Sequence, residues 1–508
     1  MIDLSPELLL VAVGAVMIAA VAAVRLSTRT GLPSLLLYLG LGMLLGEDVV
    51  GIPFDDDQLA QSIGYAALAL ILAEGGLTTR WDAIRGSLAP ATVLSTVGTC
   101  VSFLVTGLAA WLLLDLDLTT GLLLGAVVAS TDSAAVFSVL RSVRLPRRLV
   151  GILEAESGLN DAPAILAVLA LTAAAAGTSE QAWWVSGLLA VVALLVGIVV
   201  GLLVGLGGAE VLRRLASPSS GPFPLAVLAA VGIAYGLAHL AGGSGFIAVY
   251  VAALALGNRR LPHGGATRGF ATSLGWLAQI GLFVLLGLLV TPSRLPEVVL
   301  PALAVTAVLV VLGRPLSVVA SLTWFRVPWR DQAFVSWAGL RGAVPIVLTT
   351  IPVVAGVPDA QRIFDVVFVV VIVSVLLQAT TLPVVARLLG VQEEPDSNDM
   401  DVESSPLGRM GADLLEVRVH GRSRLHGVSV LELRLPQPAH VSLIVRGDGA
   451  VVPTPTTTFR HGDAVLVVTT PGVRERVDRR LHAVSERGRL AGWGEEAGER
   501  HHGEGRER

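Results

Sequence analysis

Residues 151–170 read GILEAESGLNDAPAILAVLA, and two conflicting properties meet in them. Ser157 and Asp161 are four apart and share one helix face, with Glu154 one turn further along it. Glu156 and Asn160 make a second pair at the same spacing on an adjoining face. Yet the run after Asp161 is apolar enough to enter a bilayer, where charged side chains are costly and are kept for a function. A helix that presents carboxylate, amide and hydroxyl groups together at membrane depth offers oxygen ligands to a hard cation. A network that only fastens helices is the rival explanation. It weighs most for Glu154, near the helix end, and least for Asp161.

The surrounding sequence has the same character. Of 508 residues, 53% are hydrophobic and 15% charged, with a mean hydropathy of +0.74, too apolar for a soluble globule. Residues 1–390 are mostly uncharged runs, whereas 391–508 read like a soluble polypeptide. A span needs about 20 apolar residues, and by that rule the first part is an all-α polytopic membrane domain of about 13 transmembrane helices. The run from Pro6 to Val24 has no basic residue before it and reads as a retained first span.

Loop charge orients these spans. With the N-terminus outside, the cytoplasmic loops hold Arg25, Arg29, Arg80, Arg85, Arg141, Arg144, Arg147, Arg148, Arg213, Arg214, Arg259, Arg260, Arg268, Arg326 and Arg330, against Arg294 and Arg362 outside. This is the asymmetry of a multi-pass protein of the cell's inner (plasma) membrane, with its C-terminal part in the cytoplasm.

Composition also excludes functions. All 36 basic residues are arginine, so a Walker A loop and a lysine Schiff base are ruled out, and no GxGxxG occurs. No cofactor is expected. A net charge of −4 gives no reason to expect a nucleic-acid partner. Cys100 is alone, so no internal disulfide can form, and it reads as a small buried hydrophobe. Gly197, Gly201 and Gly205 form a tandem GxxxG that suits packing within one protomer or a dimer contact equally.

Other ionisable groups at membrane depth are few. Glu74 ends the third apolar run, within LILAEGGL, Asp132 follows Ser130 and Thr131 in an apolar run, Arg314 lies in VLVVLGRPLSVV, and Arg341 sits between Gly339 and Gly342. Serine, threonine and aspartate loosen the fifth span, and Gly339, Gly342 and Pro345 loosen the twelfth. Two interrupted helices at matching places point to a transporter's binding site. Spans five and twelve match if two sets of six are repeats offset by seven, although no clear sequence repeat supports that. Asp161 can then hold a proton or a metal cation, but not both. Such competition, combined with alternating access, gives obligatory exchange. With Asn160 beside it rather than a second aspartate, one proton leaves per monovalent cation and the cycle is electroneutral.

At these residues the chain resembles the sodium/proton exchanger superfamily, in its NhaP-type electroneutral branch. The matching stretches are Ala73-Glu74-Gly75-Gly76-Leu77, Ser130-Thr131-Asp132, Glu156 to Asp161 and Gly339-Leu340-Arg341-Gly342-Ala343, in family order. Ser133 stands where the family often has proline. The resemblance implies inverted repeats with two crossing interrupted helices, and a homodimer with a moving core domain. It implies cation and proton binding at Asp161, with the transported ion also touching Ser157, Glu74 and Thr131. Asn160 and Glu156 would hold the site in place through Arg341, with Arg314 a second candidate partner, and Asp132 would help to organise it.

Residues 391–404 read as an acidic linker. Strands are predicted over 414–419, 441–446 and 464–470, and an amphipathic helix over 472–484. Residues 405–484 resemble a TrkA-C (RCK C-terminal) domain, which either gates the exchanger through a small ligand or serves as a passive dimerising module. Residues 485–508 read as a disordered tail, and His501-His502 there make no convincing metal site. An NhaP-type core with a TrkA-C domain resembles potassium/proton antiporters of the cell-volume-regulation type, so potassium is favoured over sodium as the ion exchanged. A gated cation channel and an aspartyl intramembrane hydrolase using Asp132 and Asp161 are the rivals from other classes. The first lacks a TVGYG filter and the second is at odds with an arginine-rich polar network.

Overall fold

A chain in hydrocarbon must pair every backbone group internally, so long uncharged runs become helices. The computed structural model describes residues 6–30, 32–51, 56–132, 136, 145–178, 182–215, 221–259, 261–392, 402–407, 412–421, 423–447, 449–470 and 472–491. Ser133, most of the linker and the histidines of the tail lie outside them. The chain divides into two units, residues 1–392 and 393–508.

In the first unit, nine described helices are long and apolar enough to cross a membrane. They are α1 (Pro6–Thr30), α3 (Asp57–Thr78), α4 (Leu88–Leu114), α6 (Arg147–Ala175), α7 (Trp183–Arg214), α8 (Phe223–Leu240), α10 (Gly264–Leu288), α11 (Pro292–Phe325) and α14 (Ala360–Leu389). Four shorter apolar helices lie among them: α2 (Ser34–Leu45), α5 (Leu118–Val127), α9 (Gly245–Gly257) and α13 (Ala343–Val354). A short α12 (Trp329–Trp337) precedes α13. Of their apolar windows, 72% is buried in α14 but 6% in α1, so α14 is central and α1 peripheral.

The tandem GxxxG of α7 is used inside the protomer. A methyl on Gly201 would lie 2.7 Å from the Ala248 carbonyl oxygen, and one on Gly205 would lie 2.7 Å from Ala255 Cβ, both on α9. Cys100 differs from its expectation, because its face of α4 is exposed.

A repeat does exist, and it is short. Helix α4 contains a π turn, Leu94–Gly98, and α11 contains another, Leu309–Gly313, each ending on glycine. Buried hydroxyls follow four and eight residues later, Ser102 and Thr106 in one and Ser317 and Ser321 in the other. The two elements face each other reciprocally. A methyl on Gly98 would meet Ser317 and Ser321, and one on Gly313 would meet Thr106. In the order of the described helices the two are seven apart, as are α5 and α12, which precede the two interruptions.

The second unit is a five-stranded antiparallel sheet in the order β1-β2-β5-β3-β4, with β1 Val402–Leu407, β2 Ala412–Arg418, β3 His440–Arg446, β4 Gly449–Val451 and β5 Ala464–Thr469. Two helices accompany it, α15 (Val430–Leu433) and α16 (Arg474–Arg487), and Val417, Ile444, Phe459, Val467, Val477 and Leu481 form its core. Strand β1 begins inside the stretch read as a linker. Its polar sequence gives no hydrophobic alternation, and its Pro406 is tolerated because the strand lies at the sheet edge. Asp463 is fully buried at a turn, where the Arg446 guanidinium grips both its oxygens at 2.8 Å and the Arg460 N–H donates to it at 2.8 Å.

Candidate functional site

Helix α5 stops at Val127, and Ala129–Asp132 continue unwound, because a local run of serine, threonine and aspartate competes for backbone partners. The stretch between α12 and α13, Ala338–Gly342, is unwound as well. The two broken segments cross. The Asp132 N–H donates to the Leu340 carbonyl at 2.8 Å. Glycine is required twice at this crossing, since a side chain on Gly342 would collide with the Asp132 carboxylate and one on Gly339 with the Arg314 guanidinium.

Breaking a helix strands its last carbonyls, which must find donors when buried. The carbonyls freed just beyond α5, those of Ala129 and Ser130, accept from Arg341 Nη1 at 2.6 Å. Those of α12 are shared: the Trp337 oxygen accepts from Gln378 Nε2 at 2.9 Å, and the Val335 oxygen accepts from Arg314 Nη2 at 3.4 Å. Arg314 also forks onto Glu156 at 2.5 and 2.8 Å, with 4% and 3% of the two side chains exposed. The partner of Glu156 is therefore Arg314, and Arg341 serves the broken backbone instead. A bidentate pair suits a buried carboxylate, because both oxygens are satisfied at once.

Helix α6 meets this crossing with the face that carries Asn160 and Asp161. Asp161 is 5% exposed, and Ser130 Oγ donates to its Oδ1 at 2.5 Å. Asn160 Nδ2 donates to Thr131 Oγ1 at 2.6 Å. The missing N–H of Pro163, inside α6, leaves the Leu159 carbonyl without its usual helical donor beside the site.

A cavity of about 350 Å³ is lined by Glu74, Thr131, Asp132, Ser157 and Asp161, together with Glu154 and Tyr250. The four residues expected to touch the cation thus share one cavity, and Glu74 reaches it from α3 with its side chain laid against Gly275. Asn160, Glu156, Arg314 and Arg341 stand behind it. Reading the sequence missed Ser130 as the donor to Asp161, although it adjoins Thr131 and Asp132. It also missed Tyr250, whose polar tip in an otherwise apolar helix is a signal; its ring fills the space where Gly158 lacks a side chain.

Two crossed, broken helices with a buried carboxylate at the crossing define a secondary transporter of the inverted-repeat type. Residues 16–388 match the transmembrane sodium/hydrogen exchanger family, and residues 414–482 match the TrkA-C domain. The chain belongs to the sodium/hydrogen exchanger family and is a monovalent cation/proton antiporter. It is 38% identical over 472 residues to the K(+)/H(+) antiporter NhaP of Alkalimonas amylolytica, covering 91% of this chain and 81% of that one. With the K(+)/H(+) antiporter NhaP2 of Shewanella oneidensis it shares 37% over 456 residues, covering 87% and 78%. The solved sodium proton antiporter MjNhaP1 of Methanocaldococcus jannaschii, at pH 8, superposes with a TM-score of 0.66 at 25% identity, covering 75% of this chain and 99% of that one.

Proposed function

We propose that this antiporter exchanges potassium for protons, electroneutrally, by letting the two compete for Asp161 while the site is exposed to one side of the membrane at a time. The observation that carries the reading is the convergence of Asp161, Ser157, Thr131 and Glu74 on one cavity beside the helix crossing. Carboxylate, hydroxyl and backbone oxygens suit an alkali cation, and a carboxylate is the group among them that binds a proton in its place. Asn160 beside Asp161 leaves one titrating aspartate on this face of α6, which supports one proton per cation. Asn160 and Asp132 organise the crossing, while Glu156 with Arg314, and Arg341, hold its broken ends.

Potassium is favoured because the relatives that align over most of this chain are named potassium/proton antiporters. Sodium is the second reading, favoured by the names of MjNhaP1 and of the Na(+)/H(+) antiporter of Aphanothece halophytica, 28% identical over 335 residues. In the same proposal the protein is a homodimer of the inner membrane with its N-terminus outside, and the TrkA-C domain gates it through a small ligand. Proton flux in vesicles bearing potassium, sodium or lithium gradients tests the ion. Exchange with potassium at every voltage is expected, and a response to sodium alone would overturn the choice.

A further inference from the structure

We propose that Gln378 is a positioning residue for ion exchange: it pins the broken end of α12 and so sets the segment that crosses Asp132 and carries Arg341. The proposal rests on the reading of Asp161 as carrier. Gln378 lies in a third π turn, Val375–Ala379, inside α14, and is 1% exposed. An amide buried at that depth is costly unless both of its ends are used. Both are. Ser374 Oγ donates to its Oε1 at 2.5 Å, which turns Nε2 toward the Trp337 carbonyl at 2.9 Å. The Trp337 indole is tied to the same helix, its Nε1 donating to Thr381 Oγ1 at 3.0 Å.

The route from there to the carrier is short and made of close contacts. Three residues after Trp337, Leu340 accepts the Asp132 N–H; the next residue, Arg341, holds the Ala129 and Ser130 carbonyls; and Ser130 donates to Asp161. Gln378 itself touches neither cavity nor cation. Without its donor, the Trp337 oxygen would be stranded at the end of a broken helix, and the cheapest repair is for α12 to shift or rewind. Either movement displaces Leu340 and Arg341 together.

The test uses the full chain in vesicles, comparing Gln378→Met, which removes both bonds, with Gln378→Glu, which keeps the shape but replaces the donor by an acceptor. Each variant is expected to fold, to need about tenfold more cation for half-maximal exchange, and to show a displaced pH profile with a smaller change in maximal rate. Acidification protonates the Gln378→Glu carboxyl and restores a donor, so its deficit narrows there while that of Gln378→Met does not. Hydrogen exchange of peptides covering 129–132 and 338–342 should rise in both. Should Gln378→Met fail to accumulate, Ser374→Ala, which keeps the amide but frees it to turn, is read in the same way. Folded variants with wild-type half-saturation, pH profile and hydrogen exchange would overturn the proposal. Exchange surviving in Asp161→Asn would refute the carrier but leave the hydrogen-exchange result standing, so the two failures are distinguishable.

Discussion

Asp161 and its hydroxyl donor form the smallest unit of the mechanism. Asp161→Asn is expected to abolish exchange of every ion in vesicle flux while leaving the protein folded. Ser130→Ala removes the bond to Oδ1 and should shift half-saturation by roughly ten- to a hundredfold without abolishing exchange, since one hydrogen bond to a charged group contributes about 1.5–3 kcal/mol. Glu156→Ala leaves the Arg314 guanidinium buried without its counter-charge and should cost about 3–5 kcal/mol, read as a lower melting temperature in detergent. In the second unit, burial pushes the Asp463 carboxyl up, but the Arg446 fork and the Arg460 N–H outweigh it and hold it below its usual range. Its stabilising contribution is therefore present above the unfolded value, about 3.9, and is lost as pH falls through the lower folded value. Denaturant titrations between pH 5 and pH 2, followed by circular dichroism, should show that Asp463→Asn flattens this acid dependence. That Asp161 and Ser157 share one cavity was legible in the sequence, because a four-residue spacing puts both on one face of a helix. Which arginine meets Glu156 was not, because Arg314 and Arg341 both lie in apolar spans and only the path of the broken backbone separates them.

The elements show why the crossing is built as it is. Each break frees carbonyls that a side chain from another segment takes, Arg341 just beyond α5 and Gln378 with Arg314 at the end of α12. The interruptions themselves could be read from Ser130-Thr131-Asp132 and from the glycines flanking Arg341. The kinship of α4 and α11 could not, because it consists of a π turn, one glycine and two hydroxyls, too few letters to stand out among 55 glycines and many small residues. Strand β1 escaped for a similar reason, having no apolar alternation to mark it. Close approach of α7 and α9 makes its own prediction. Gly201→Leu has nowhere to put its side chain against Ala248 and should sharply reduce the yield of folded protein, measured as monodisperse material after detergent extraction. Gly187→Leu on the same helix, where nothing lies within 4 Å, should not.

For the whole molecule, the separate cores of the two units predict separable folding. A chain ending at Gln392 keeps every residue of the site, and vesicle assays should find it competent for exchange. Loss of all flux would show that the sheet domain is needed for the membrane part to work. Finally, the three π turns of α4, α11 and α14 each carry one residue more than an α turn needs; α4 packs on α5, and α11 and α14 supply Arg314 and Gln378 to the end of α12. Deleting one residue from any of them would leave a good helix whose far end keeps nearly its place, because one π turn advances about as far as an α turn made with one residue fewer. What changes lies inside the turn: in α14 the wide turn that carries Gln378 would close, and the clamp on Trp337 would go with it. Chain length at those three spots is thus as much a part of the machine's specification as the identity of its carboxylates.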